Sequence, residues 1–173
     1  MADKYKQTIE VYERLGKEYL DNIVGLRVKG MAEFIKLLPR KARVLDVGCA
    51  GGRDAKIFTS KGFDVTGIDL VDSYLKEARK FAPKAKFIKM DVRRLKFPKN
   101  YFDAIWANAV LVHIYKRDLP KVLKGFSRVL MLGGKLHIRM KKGKGLQEVA
   151  EKLSLYNKRI FIYLSKIELE RLV

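Results

Sequence analysis

The sequence predicts an α/β fold in which a doubly wound, mostly parallel sheet carries helices on both faces. Three observations predict it: stretches of helical and strand period alternate along the chain, the first strand runs into a glycine cluster, and carboxylates close successive strands. At 173 residues and 48% hydrophobic content the chain suits a single domain with a substantial core. Residues 1–40 are expected to be leading helices of that domain and residues 41–173 its core.

From about Lys4 to Leu38, apolar residues recur at helical spacing (Ile9, Tyr12, Leu15 and Tyr19, then Ile23, Leu26, Met31 and Phe34), and Pro39 stops the run, so two helices are expected. The β-branched stretch 42–47 reads as a first strand. It enters the loop Asp46-Val47-Gly48-Cys49-Ala50-Gly51-Gly52, after which helical period resumes over residues 53–58. A second strand, 63–69, ends at Asp69, and a helix capped by Asp72 or Ser73 runs to about Phe81, before Pro83. Residues 86–91 form a third strand ending at Asp91, and residues 102–107 a fourth. Asp118 with Pro120 opens a helix through about Leu130, Gly133 and Gly134 end it, and residues 135–140 make a fifth strand. Right-handed crossovers then build one parallel sheet.

Bulk properties narrow the function. No stretch approaches the roughly 18 apolar residues of a membrane span, and the start Met1-Ala2-Asp3-Lys4 leads into a mixed-charge helix rather than an apolar signal core, so a cytoplasmic protein is expected. A single cysteine, Cys49, excludes an internal disulfide, a thiolate metal cluster and a two-cysteine redox cycle; no metal site is expected. Lysine is abundant while Asn and Gln are scarce, a composition found in proteins of thermophiles. The 38 Lys and Arg against 19 Asp and Glu give a net charge of +19. That imbalance invites a polyanionic partner such as RNA, and a generally solvated basic surface accounts for it at least as well.

A glycine-rich turn between strand and helix lets backbone approach a ligand, and the helix N-terminus offers free N–H groups. A dinucleotide fingerprint would need glycine at positions 50 and 53, which are Ala50 and Arg53, so NAD fits poorly. A nucleoside-triphosphate loop would need a lysine, and the loop has none.

The segment resembles the first motif of class I S-adenosylmethionine-dependent methyltransferases, D/E-x-G-x-G-x-G, in Asp46, Gly48, Ala50 and Gly52, with Ala50 replacing one glycine. Residues 126–136 (Phe-Ser-Arg-Val-Leu-Met-Leu-Gly-Gly-Lys-Leu) are similar to the R-V-L-x-x-G-G-x-L stretch of the small-molecule and tRNA-modifying branch. The resemblance implies a Rossmann-like fold and S-adenosylmethionine as cofactor. It implies that Asp46, Gly48, Cys49, Ala50 and Gly52 form the loop of the cofactor site and that Asp69 binds the ribose hydroxyls, with Leu70 beside it. It assigns Asp91 to the adenine amino group, lets Val92 pack on the ring, and puts Asn108 at the end of the fourth strand. Each carboxylate has a structural alternative: Asp46 as a turn cap, Asp69 as a helix cap, Asp91 as an exposed loop charge.

On the acceptor side the run 108–114 lacks both the N-P-P-aromatic stretch of nucleic-acid amino-methyltransferases and a nucleophilic cysteine. His113 is the candidate general base for an attacking O, N or S group, and a structural histidine is an equal reading, since in-line displacement from a sulfonium is carried largely by positioning. A small molecule or an RNA base is the expected acceptor. Tyr12 and Tyr19 are placed to close over the cofactor or simply to pack. The alternative function is an inactive cofactor-binding module that binds RNA or a partner protein.

Relatives continue after the aromatic segment 159–163 with two strands of an antiparallel hairpin, whereas here Ser165 and Glu168 form a capping box and the sequence stops at Val173. The sheet is therefore expected to be short at its C-terminal side. Its fifth strand would be a bare edge covered by residues 159–164 or by a second copy in a homodimer, or else the sequence is a truncated form.

Overall fold

The computed structural model describes residues 3–172. The leading segment forms α1 (Lys4–Val24) and α2 (Met31–Lys36). Inside α1, Gly16 leaves helical geometry at φ 48° and ψ −131°, so the helix is two rods joined at a kink. Its first half presents Tyr5, Thr8 and Tyr12 inward and its second half Leu20.

The core follows as β1 (Arg43–Val47), α3 (Arg53–Ser60), β2 (Asp64–Asp69), α4 (Asp72–Phe81), β3 (Lys86–Lys89), β4 (Phe102–Asn108), α5 (Leu119–Val129) and β5 (Leu130–Arg139). The five strands form one parallel sheet in the order β3-β2-β1-β4-β5. This is the doubly wound α/β architecture that the alternating pattern predicts. Because successive side chains point to opposite faces, Val44, Val65, Ala104 and Trp106 pack on one side with Phe34 of α2 and Phe58 of α3. Leu45, Val47, Ile105 and Ala107 pack on the other with Leu119, Val122 and Phe126 of α5. A central strand buried on both faces has no polar side to show, which is why β4 reads as a continuous apolar run over residues 104–107 and why residues 44–47 of β1 are apolar on both faces apart from Asp46.

Three boundaries differ from expectation. The fifth helix ends at Val129, not at the glycine pair: Leu130 turns extended and pairs with Phe102, and Gly133 and Gly134 sit in the irregular stretch before pairing resumes at Ala104 and Lys135. The third strand stops at Lys89, and Asp91 caps a single 3-10 turn over Val92–Arg94 instead of closing the strand. Residues 159–164 do not cover the edge of β5. Gly145–Val149 (β6) and Arg159–Tyr163 (β7) pair antiparallel as a separate two-stranded ribbon, and β7 packs on α1 and on the turn Leu111–His113. A hairpin thus exists but stands apart from the sheet, leaving β5 as its outer strand. The short α6 (Lys166–Glu170) begins at the expected capping box of Ser165 and Glu168. Among the described residues, no helix is long and apolar enough to cross a membrane.

Candidate active site

The chain reverses direction across the sheet between β1 and β4, and in open α/β sheets the crevice beyond the strands' carboxyl ends at such a point is where ligands bind. A cavity of about 710 Å³ lies there, within the range of small-molecule and cofactor sites. Its walls include Asp46, Gly48, Cys49 and Ala50 from the loop, Asp69 and Leu70 after β2, Val92, and Asn108 and His113 after β4. Eight of the expected cofactor residues and the expected base are thereby brought to one space.

The loop is shaped by close approach. Gly48 has φ +69°, and a Cβ there would stand 2.5 Å from Val110. Ala50, in place of the motif's glycine, accepts the left-handed φ of 44°. Its N–H donates to Oδ2 of Asp69 at 2.9 Å, while Leu70 and Val71 N–H groups donate to Oδ1 at 2.7 and 3.1 Å. Burial raises the Asp69 pKa, and these three donors oppose the rise. Asp69 therefore ties the end of β2 to the loop.

Asp46 is fully buried, and its Oδ2 has no hydrogen-bond partner. Burial, then the neighbouring charge of Asp54, holds its carboxyl well above the usual range. An acidic group so placed welcomes a cation. Asp54 is an organiser that the sequence reading passed over. Its Oδ2 accepts from Trp106 Nε1 at 2.8 Å and Asn108 Nδ2 at 3.0 Å, and its Oδ1 from Arg53 Nε at 2.7 Å. Arg53 reaches on to the carbonyl of Ile23 at 3.0 Å, pinning the end of α1. The sequence carries no periodic signal for such a polar junction.

Two expected residues are placed otherwise. Gly52 does not line the cavity; a Cβ there would come within 3.0 Å of Phe87 and 3.2 Å of Ala78, so its lack of a side chain lets α4 and β3 close behind the loop. The Asp91 carboxylate is not in the wall either. It accepts from Arg93 N, Nε and Nη2 at 2.8, 3.0 and 2.6 Å, a closed pairing that leaves Met90 and Val92, on either side, to face the cavity.

α1 roofs the site. Leu20 lies over Gly51, where an added Cβ would meet its Cδ1 at 2.9 Å. Glu13 accepts from Asp72 N at 2.5 Å and from the Ser73 hydroxyl at 2.7 Å, supplying the cap that α4 lacks from its own N-cap residue, Val71. Tyr19 stacks on Tyr74 with ring centroids 5.9 Å apart. Both tyrosines proposed to close over the site do line it.

His113 faces the cavity, but both ring nitrogens are engaged. Nδ1 lies 2.7 Å from the Ile160 carbonyl and must donate to it, so the neutral ring's Nε2 accepts from the Tyr12 hydroxyl at 2.9 Å. Burial, followed by the positive charges of Arg159 and Lys141, pushes its pKa down to about 4. Neither nitrogen is free to take an acceptor's proton, which favours the structural reading of this histidine. The Tyr12 oxygen in turn accepts from Arg159, whose other arm pairs with Glu151 at 2.7 Å. His137, by contrast, is a packing residue stacked on Trp106 with centroids 3.8 Å apart.

Residues 45–138 match the methyltransferase domain family. The chain belongs to that family. It is 35% identical over 106 residues to an S-adenosyl-L-methionine-dependent Diels-Alderase of Talaromyces variabilis, covering 57% of this chain and 36% of the relative. It is 31% identical over 121 residues to 2-methyl-6-phytyl-1,4-hydroquinone methyltransferase of Synechocystis, covering 64% and 38%. This chain thus spans well under half the length of either. In fold it is similar to a SAM-dependent methyltransferase from Methanosarcina mazei, with a TM-score of 0.75, 21% identity, and coverage of 85% of this chain and 83% of that one.

Proposed function

We propose that this chain is an S-adenosylmethionine-dependent methyltransferase that acts on an O, N or S nucleophile of a small molecule. The observation that carries the reading is the convergence of the loop 48–51, the Asp46 carboxyl with its unpartnered Oδ2, and Asp69 on one cavity at the point where the sheet reverses. The donor set suits this cofactor: Asp46 offers a carboxylate to an ammonium, and Asp69, with three N–H donors on about four acceptor positions, keeps capacity for a ribose hydroxyl. Met90 and Val92 offer apolar surface to an adenine, where the resemblance puts Asp91 and Val92. Cys49, Ala50 and Leu70 would shape the rest of that wall, and Asn108 stands at the border with the acceptor side.

Bound there, the cofactor supplies a methyl group on a sulfonium, already a good electrophile. The chain's own residues then position the acceptor, exclude water and fix the approach, which is where the rate of an in-line displacement is gained. His113 serves in this reading by holding Tyr12 rather than by taking the acceptor's proton. A cytoplasmic location agrees with the free, buried thiol of Cys49. The uncovered β5 edge favours pairing with a second copy, and the +19 charge an RNA acceptor as the second reading.

Calorimetry with S-adenosylhomocysteine tests the site: Asp69→Ala should weaken binding about tenfold or more, and unchanged affinity would refute the assignment. The name of the Talaromyces relative couples this cofactor to a different reaction, so transfer of labelled methyl to small-molecule and tRNA pools is the direct test of activity. Cofactor binding with no transfer to any pool would overturn the enzyme reading.

A further inference from the structure

The acceptor end of the cavity carries a charge that the described residues do not balance. Beyond β4, the wall is built from the end of β5, the turn Leu111–His113 and β7, and it brings together three cations, Arg139, Lys141 and Arg159. One carboxylate faces them. Glu151 binds Lys141 Nζ at 3.0 Å and Arg159 Nη2 at 2.7 Å, so a single negative charge serves two positive ones. Arg139 has no acidic partner among the described residues; its guanidinium makes only a long contact of 3.4 Å with Asn108 Oδ1. Arg53, on the cofactor side, is already neutralised by Asp54. Arg159 is buried, with its Nε atom unpartnered, so its charge is poorly screened by water. The field reaches the cavity interior: Arg159 and Lys141 both act to lower the His113 pKa, after burial itself.

The same wall is apolar and aromatic between the charges. Phe161 stands 5.1 Å from His113, ring to ring, with Lys141 4.1 Å and Arg159 5.2 Å from its centroid. A cationic rim around an aromatic floor selects for a molecule that has both a negative group and a flat or apolar body. We propose that the methyl acceptor is an amphipathic anion, a carboxylate or phosphate ester on an apolar or aromatic body, with its charge met by Arg139 and Lys141 and its body against Phe161. This rests on the methyl-transfer reading above and adds to it the chemical class of the substrate.

The test uses the full chain, first titrated with S-adenosylhomocysteine and then, with and without it, with 4-hydroxybenzoate, phenyl phosphate and the neutral 4-hydroxybenzamide. Both anions should bind about tenfold or more tighter than the amide. Arg139→Gln and Lys141→Gln should each narrow that gap about threefold or more, while Lys84→Gln, an exposed cation outside the cavity wall, should leave it unchanged. The ratio of phenyl phosphate to 4-hydroxybenzoate affinity identifies which anion the site prefers. Equal binding of amide and anions, no anion binding up to about 10 mM, or an effect of Lys84→Gln as large as that of Arg139→Gln would overturn the proposal. The last outcome, together with oligouridine binding, is the one a diffuse RNA-binding surface gives. Failure of S-adenosylhomocysteine to bind refutes the cofactor reading separately, because the anion titrations are also run without it.

Discussion

Tyr12 on the first half of α1 donates its hydroxyl proton to Nε2 of His113, 101 residues away, across 2.9 Å in a buried setting. The bond closes a chain in which His113 Nδ1 donates to Ile160 and Arg159 donates to Tyr12 and Glu151. It fastens the roof helix to the turn after β4 and to β7, and it fixes the histidine as the neutral Nδ1–H tautomer.

That histidine makes stability depend on pH. Its folded pKa is lowered to about 4 from an ordinary 6.5, so the unfolded chain takes up a proton first as pH falls. The contribution of neutral His113 is complete above about pH 6.5 and is lost as pH drops toward about 4, a change of about 3 kcal/mol at most. Denaturant titrations from pH 7.5 to 4 should show this loss in the native chain and a shallower one in His113→Gln.

Tyr12→Phe removes the donor to His113 and the acceptor for Arg159 while keeping the ring. Two buried polar groups are left unpaired, which should cost about 1–3 kcal/mol in urea unfolding. If Tyr12 mainly holds the roof, cofactor affinity should fall with it; an unchanged midpoint would show the network to be energetically idle.

The roof should be separable from the loop by a double-mutant cycle. Gly51→Ala places a methyl about 2.9 Å from Leu20 without requiring a left-handed backbone, and the overpacking should cost about 1–3 kcal/mol. Leu20→Ala makes room, so the double variant should be less impaired than the two single losses summed, read as S-adenosylhomocysteine affinity and thermal midpoint.

Asp54→Ala should be among the most damaging changes in the chain. It strands the Trp106 and Asn108 donors and leaves Arg53 without its counterion, a loss of about 3–5 kcal/mol. Asp54→Asn, which keeps one acceptor oxygen, should lose less, as measured by chemical denaturation.

Much of this architecture was legible in the sequence, because β1, β2 and β4 are buried strands bounded by sharp turns, and because a glycine loop followed by Asp69 has few other uses. The failures share a cause. Gly133 and Gly134 carry a helix-stop signal, but tertiary pairing of Leu130 with Phe102 takes effect first and ends α5 earlier. Asp91 sits where the family places a ligand carboxylate, yet Arg93, two residues on, claims it. Residues 145–149 are exposed on most positions, and the polar Gln147 and Glu148 stand side by side, so the ribbon strand β6 shows no alternation to read. The Glu13 cap of α4 and the Arg159–Tyr12 contact join residues 59 and 147 positions apart, and such partners have no local signature.

The family match spans residues 45–138, yet Tyr12 and Leu20 precede it and Arg159 and Phe161 follow it. The loop that would hold the cofactor lies inside the matched stretch, whereas the β7 wall with Arg159 and Phe161 lies outside it. Substitutions on β7 can redirect what is recognised while leaving the loop 46–52 and its α1 roof untouched, so divergence in specificity need not pass through forms that have lost the cofactor.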